Sequence, residues 1–193
     1  MDDEQIISKA VEYITGLFNG NSDGHDLDHT MRVYRTAMKI ADSYPDCNKL
    51  IVALGALLHD ADDHKLFNTE NNANARYFLD CNNVNQAETD LICEVINSVS
   101  FRKNKDTVPS TLEGRIVQDS DRLDAMGAIG IARTFAYGGK AGRSLDDSIQ
   151  HFYDKLLLLE NLLNTDEAKA MAKERQLMMT SFLDEYKKET EGA

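Results

Sequence analysis

Residues 49–60 read KLIVALGALLHD, an apolar segment that ends in a histidine and an aspartate. Only Lys49 and Gly55 interrupt the apolar run before His59, and its length of about ten residues favours a buried helix over a strand. A carboxylate next to an apolar core costs several kcal/mol unless other groups satisfy it. The His59-Asp60 pair is therefore expected either to be satisfied by its neighbours or to hold a metal.

The composition limits the partners that the chain can bind. Its 193 residues, 42% of them hydrophobic, are enough for one domain with a substantial core. The 33 acidic and 21 basic residues give a net charge of -12. Duplex nucleic acid and anionic membranes both require clustered Lys and Arg, so neither is expected as a partner. We expect a single domain spanning residues 1–193, and a homo-oligomer stays open.

The cysteines and the N-terminal residues indicate a cytoplasmic protein. Cys47, Cys81 and Cys93 are odd in number and lack C-x-x-C spacing, so three reduced thiols are expected. The first four residues, MDDE, are acidic where a secretory signal is basic. No apolar run approaches the ~20 residues that span a bilayer, so no membrane partner is expected.

Helical periodicity runs through the chain, which predicts an all-α, multi-helix bundle. The only prolines, Pro45 and Pro109, fall between periodic segments, and strand patterns are nearly absent. The predicted helices cover about residues 3–18, 26–44, 49–58, 69–80, 86–100, 145–163 and 165–186, with a further helix from residue 110 that carries three aspartates.

Local signals predict how some of these helices begin and connect. Asn85 with Glu88, and Ser110 with Glu113, each have the spacing of a capping box. Segment 137–143, YGGKAGR, is rich in glycine and cations and is predicted to be a flexible basic loop.

Polar residues that face the interior suggest a metal site. His29 shares a helical face with apolar residues and should project into the core. Asp119 and Asp121 lie on opposite sides of the apolar stripe of their helix, so both cannot point at the same spot. Two imidazoles and two carboxylates, from three separate helices, would suit Mn, Mg, Co, Ni, Fe or Zn. Four protein ligands around a six-coordinate ion would leave about two positions for water and substrate.

These residues resemble the HD-domain metal-dependent phosphohydrolases, an all-helical family with the pattern H…HD…D, and most of all its small bacterial YpgQ/YedJ-like subgroup. The segments that carry the resemblance are GHDLDH at 24–29, LLHD at 57–60, QDSDRLDA at 118–125, MGAIGIAR at 126–133, YGG at 137–139 and HFYDKL at 151–156. The resemblance spans about residues 20–160 and implies an HD-type domain with its metal site between central helices.

The resemblance also assigns roles to residues. The metal ligands that it implies are His29, His59, Asp60 and Asp121. Many HD hydrolases carry an acidic residue three positions after the HD aspartate, where it orients or deprotonates the attacking water. That position holds Asp63 here, with Asp62 as the neighbouring alternative. The chain lacks the HD-x-G-K pattern of enzymes with two or three metals, so one divalent ion is expected.

A phosphate substrate would have to be met by cations close to these motifs. The candidates are Lys65, Arg122, Arg133, Lys140, Arg143, His151 and Lys155. His151 and Lys155, spaced i and i+4, would share one face of a long helix. Segment 137–143 lacks P-loop spacing and is either a lid over an anionic substrate or a plain turn.

The leading hypothesis is a metal-dependent phosphohydrolase that uses a metal-activated water to cleave a phosphomonoester or pyrophosphate bond. The resemblance implies a nucleotide or a related small phosphate as the substrate. One alternative is a non-catalytic module that binds metal and nucleotide. Another is an HD-type di-iron oxygenase, for which His64 with Asp62 and Asp63 would have to supply further ligands.

Overall fold

The computed structural model describes residues 2–18, 27–64 and 66–192. Every regular element in these ranges is helical, which confirms the all-α prediction. Asp26, where the second predicted helix begins, and the predicted substrate residue Lys65 lie outside the described residues. Within the described ranges, no helix combines the length and the apolar character needed to cross a membrane.

The chain divides into two compact units, an N-terminal unit, Met1–Ser120, and a C-terminal unit, Asp121–Ala193. The division falls inside one continuous helix, α7 (Leu112–Asp124), whose last turn therefore counts with the C-terminal unit. A single domain over the whole chain stays a prediction.

Helix α3 is the centre of the N-terminal unit. The other helices that lie wholly in this unit are α1 (Asp3–Leu17), α2 (Leu27–Ala41), α4 (Ala73–Cys81), α5 (Gln86–Val99) and α6 (Phe101–Asn104). Helix α3 spans Lys49–Leu58 and is buried at every position from Ile51 onward. The Asn48 side chain begins it by accepting hydrogen bonds from the backbone N–H groups of Leu50 (3.1 Å) and Ile51 (3.3 Å). The apolar run from residue 49 therefore forms the buried helix that its length predicts.

Gly55 lets α3 and α5 approach each other closely. A Cβ atom on Gly55 would lie 2.6 Å from Cγ1 of Val95, a fully buried residue of α5. Contacts this short do not occur between real side chains. The glycine that interrupts the apolar run thus serves helix packing, because no larger residue fits there without moving α5.

The N-cap predicted at Asn85 is confirmed, although a bond between the two side chains replaces the second contact of a capping box. The Asn85 side chain accepts a hydrogen bond from the Glu88 N–H (3.0 Å) and donates one to the Glu88 carboxylate (2.7 Å). The two residues therefore satisfy each other at the first turn of the helix.

The capping box at Ser110 and Glu113 is wrong. Thr111 caps α7 instead, since its hydroxyl oxygen accepts a hydrogen bond from the Gly114 N–H (3.1 Å). The Glu113 carboxylate accepts from the backbone N–H of Asn48 (2.8 Å), at the start of α3. Glu113 thus binds a backbone group 65 residues away, whereas the local pattern predicted that it would bind the end of its own helix.

The helices of the C-terminal unit surround an aromatic cluster. They are the last turn of α7, α8 (Gly127–Lys140), α9 (Leu145–Asp154), the 3-10 helix Leu156–Leu162 and α10 (Asp166–Glu191). The ring centroid of Phe182 lies 5.7 Å from that of Phe135 and 6.0 Å from that of Phe152. These rings join α8, α9 and α10 into one core.

The prediction of a flexible loop over residues 137–143 is wrong for most of its length. Helix α8 continues to Lys140, and only residues 141–144 connect it to α9. A Cβ atom on Gly138 would lie 2.5 Å from the hydroxyl oxygen of Ser148 in α9. The glycine therefore permits close packing of α8 against α9, and this packing stabilises the helix in a glycine-rich segment.

The predicted long helix over residues 145–163 is also wrong. Helix α9 ends at Asp154, and Lys155 has φ -139° and ψ -58°, outside the helical region. The leucine-rich segment that follows forms a 3-10 helix. His151 and Lys155 therefore do not share the face of one continuous helix.

Candidate metal centre

His59 presents one ring nitrogen to the interior. It follows the last residue of α3, and its Nδ1 lies 2.8 Å from the carbonyl oxygen of Ala56. Because a carbonyl only accepts, Nδ1 carries the proton in this contact. The neutral ring then exposes the lone pair of Nε2, which is the form that binds a metal. The side chain is only 3% exposed.

His29 meets His59 from helix α2. It lies on the buried face of α2 with Val33 and Ala37, as the helical spacing predicts, and is 1% exposed. Its Nε2 lies 3.3 Å from Nε2 of His59, and the ring planes meet at 70°. The Nε2 atoms of both imidazoles, which come from different helices, therefore point at one location.

Asp60 adds an oxygen to this pair. Its Oδ2 atom lies 3.3 Å from Nε2 of His59 and 3.5 Å from Nε2 of His29, and the residue is 8% exposed. Donor atoms that bind one ion at about 2.1 Å with angles between 90° and 110° lie about 3.0–3.5 Å apart. The three observed separations match that range, so the donor set fits a single divalent ion.

Asp121 lies in the last turn of α7, and its carboxylate comes close to the same histidines. One donor atom each of His29, His59 and Asp121 lie within 4.8 Å of one another. Asp119, on the same helix, is fully buried and does not belong to this group. In the described part of the chain, potential metal ligands gather in this way at one place, and the Asp60 carboxylate lies at the same place.

Asp62 and Asp63 have different surroundings although they are neighbours in sequence. The Asp62 carboxylate accepts hydrogen bonds from the backbone N–H groups of Asn74 (2.9 Å) and Ala75 (3.1 Å), and so caps the start of α4. The Asp63 side chain is 15% exposed, and its backbone N–H donates to the Asp60 carbonyl (3.1 Å). This turn holds Asp63 beside the His59-Asp60 pair.

Sequence reasoning missed the role of Asp62 as a helix cap. Its partners begin 12 residues later, beyond any local capping pattern. The one available signal was a carboxylate in the segment before the helix. In the structure, Asn72 occupies the local N-cap position but makes no side-chain cap bond.

Two of the candidate phosphate ligands contact protein groups. Arg122 is 3% exposed, and its guanidinium group donates to the carbonyl oxygen of Leu162. Arg133 forms an ion pair with Asp124, whose side chain is 5% exposed. These contacts stabilise the C-terminal unit, and a role of Arg122 toward the substrate stays a prediction.

Three other candidates form a cationic cluster within the C-terminal unit. Burial lowers the pKa of His151 below its ordinary value, the positive charges of Lys155 and Arg143 lower it further, and Asp154 opposes them. The guanidinium group of Arg143 lies over the exposed ring of Tyr137, 5.1 Å from its centroid. Sequence reasoning named these cations and placed Arg143 in a loop and His151 in a helix correctly, but it extended that helix past Lys155. Lys140 is the last residue of α8 and is exposed.

A family model described as the HD domain matches residues 26–126. The chain belongs to the HD-domain family. The matched range contains His29, His59, Asp60 and Asp121. Membership of the HD family agrees with the H…HD…D pattern in the sequence. The family is the one that the resemblance named.

Known proteins similar to this HD-domain chain match nearly its whole length. YpgQ of Bacillus subtilis (strain 168) is 34% identical over 188 residues, which cover 93% of this chain and 91% of YpgQ. The crystal structure of an HD-superfamily hydrolase from Bacillus thuringiensis, 34% identical, covers 100% of both chains with a TM-score of 0.84. The crystal structure of Bacillus subtilis YpgQ in complex with ADP, 30% identical, covers 98% of this chain and 97% of that one with a TM-score of 0.83.

Proposed function

We propose that this HD-domain protein is a phosphohydrolase that depends on one divalent metal ion and acts on nucleotides or related small phosphates. The residues that would hold the ion are His29, His59, Asp60 and Asp121. The observation that carries the proposal is the convergence of two Nε2 atoms and one carboxylate oxygen at separations of 3.3–3.5 Å. An HD-superfamily hydrolase with a closely similar structure supports the reaction class.

Asp63 is the side chain that we assign to the attacking water. An ion in this site supplies a water of lowered pKa and polarises a phosphoryl oxygen. Asp63 would orient that water and accept its proton, since it follows the Asp60 ligand by one tight turn. Asp62 is the weaker candidate, because both of its oxygens already accept backbone hydrogen bonds.

The cationic cluster of Arg143, His151 and Lys155 is the proposed binding site for phosphate oxygens, together with Lys140 at the end of α8. A chain with a net charge of -12 repels anions, so a phosphate substrate needs such a local concentration of positive charge. The half-buried His151 beside two cations would gain from a negative charge nearby. ADP in the YpgQ complex supports a nucleotide as the ligand class.

The proposal is tested with chelator-stripped protein, to which Mn²⁺, Mg²⁺, Co²⁺, Ni²⁺, Fe²⁺ or Zn²⁺ is added before a panel of nucleoside mono-, di- and triphosphates. We expect ion-dependent release of phosphate or pyrophosphate. His59→Ala should abolish it, whereas Leu177→Ala, a control at a residue of α10 that is 67% exposed, should leave it unchanged. Full activity of His59→Ala, or no turnover of any nucleotide by the wild-type protein, would refute the proposal.

The two alternatives predict different results in the same experiment. A non-catalytic binding module would show ion-dependent stability and nucleotide binding without turnover. A di-iron oxygenase needs a second ligand set, but Asp62 caps α4 and the His64 side chain is largely exposed. In the described ranges these residues do not assemble a second metal group. Two irons per chain in the purified protein would nevertheless favour the oxygenase.

A further inference from the structure

Two arginines of later helices hold the last turn of α7, the turn that carries Asp121. Arg175 of α10 donates a guanidinium hydrogen bond to the carbonyl oxygen of Leu123. Arg133 of α8 forms an ion pair with the buried carboxylate of Asp124. The last carbonyl groups of a helix lack partners within the helix, so side-chain donors at this end fix its position.

The surroundings of Arg175 leave its side chain little freedom. Gly127, which has φ +68°, packs against it so closely that a Cβ atom there would lie 3.1 Å from Cβ and Cγ of Arg175. Burial lowers the pKa of Arg175, and the negative charge of Asp124 raises it. The Asp124 carboxylate therefore interacts with two guanidinium groups, one from α8 and one from α10.

Asp121 depends on this arrangement because it shares a helical turn with Leu123 and Asp124. Residues three apart on a helix lie on the same side, so Asp121 and Asp124 move together when the turn rotates or frays. Metal affinity depends on neighbouring groups that hold each ligand in its orientation, even where those groups do not touch the ion.

We propose that Arg175 and Arg133 are positioning residues for the metal centre. They fix the last turn of α7 and, through it, the direction of the Asp121 carboxylate. Neither residue binds the ion or the substrate. This inference rests on the proposed function, because it assumes that Asp121 is a ligand.

The test measures Mn²⁺ affinity without substrate, by titrating stripped protein and following free Mn²⁺ by electron paramagnetic resonance. Arg175→Met should weaken Mn²⁺ binding by about 10- to 100-fold, the usual cost of losing a residue that orients a ligand. Arg133→Met should shift the affinity in the same direction. Arg175→Lys keeps a donor and the charge, so it should recover part of the affinity, and it supplies the comparison if Arg175→Met does not fold.

Arg115→Met is the matched control. Arg115 lies in the first turns of the same helix, and its guanidinium group donates to the carbonyl oxygen of Pro109 (2.9 Å). The variant removes the same kind of contact at the other end of α7, so it should lower the melting temperature but leave Mn²⁺ affinity unchanged.

Wild-type affinity in folded Arg175→Met and Arg133→Met would overturn the inference. An equal loss of affinity in Arg115→Met would also overturn it, because general loosening of α7 would then explain the effect. Wild-type protein that binds no Mn²⁺ or other divalent ion would instead refute the proposed function itself, so the two failures are distinguishable.

Discussion

Replacing Asp62 and Asp63 one at a time should separate stability from turnover. Asp62→Ala removes two hydrogen bonds, of 2.9 and 3.1 Å, from the start of α4 to a charged acceptor. Loss of a capping side chain costs about 0.5–2 kcal/mol, and the double contact places Asp62 at about 2 kcal/mol. For a chain of 193 residues this lowers the melting temperature by about 4–8 °C. Turnover of the folded variant should stay close to wild type.

Asp63→Ala should instead lower turnover and leave stability nearly unchanged. A residue that orients or deprotonates the attacking water contributes about 10²- to 10⁴-fold to turnover, so kcat should fall by that factor. The Asp63 carboxylate lies 3.8 Å from Nδ1 of the largely exposed His64, and loss of an ion pair of this kind should change the free energy of unfolding by less than about 1 kcal/mol.

The assay combines urea unfolding with steady-state turnover of the best nucleotide at saturating Mn²⁺. Both variants are measured at a temperature where Asp62→Ala is fully folded. A loss of kcat in Asp62→Ala equal to that in Asp63→Ala, at unchanged stability, would show that the roles of the two carboxylates are assigned wrongly.

Two further predictions concern packing and pH. Gly55→Ala should lower the free energy of unfolding by about 1–3 kcal/mol, because its Cβ would lie 2.6 Å from Val95, whereas Gly16→Ala, with nothing within 4 Å, should raise it by up to about 1 kcal/mol. Urea unfolding measures both, and equal effects would contradict the packing argument. The pKa of His151 is lowered from 6.5, so the unfolded chain binds more protons between the folded pKa and 6.5, and stability should rise with pH through that window. His151→Gln should flatten this rise in unfolding curves recorded from about pH 5 to about pH 8, and an unchanged slope would refute it.

The parts of the fold that sequence reasoning predicted depend on local signals. The apolar run from residue 50 to 58 is long enough to be a helix and contains no polar residue, so its burial and its end at His59 were predicted directly. The face of α2 that carries His29 has the spacing of a helix against a core, and it is buried as expected. On α7, helical spacing showed that Asp119 and Asp121 cannot point at the same spot, the family resemblance selected Asp121, and Asp121 lies near the histidines.

The parts that were missed depend on partners far away in sequence. Glu113 has the spacing of a capping residue, yet it bonds Asn48 because folding brings the start of α3 beside it. Gly138 suggests a flexible loop, but it lies within α8, where the missing side chain lets the helix pack closely against Ser148 of α9. The residues after Asp154 continue an apolar pattern that an α-helix and a 3-10 helix satisfy equally well.

The proposed ligands are held in place by contacts that need no ion, and this bears on how the site works. The Ala56 carbonyl fixes the tautomer of His59, the buried face of α2 confines His29, and two arginines hold the turn of α7 that carries Asp121. In such a site, ordering the ligands costs little of the binding free energy. His29, His59, Asp60 and Asp121 would then hold an ion with little rearrangement, and such an ion would supply an activated water for phosphate chemistry.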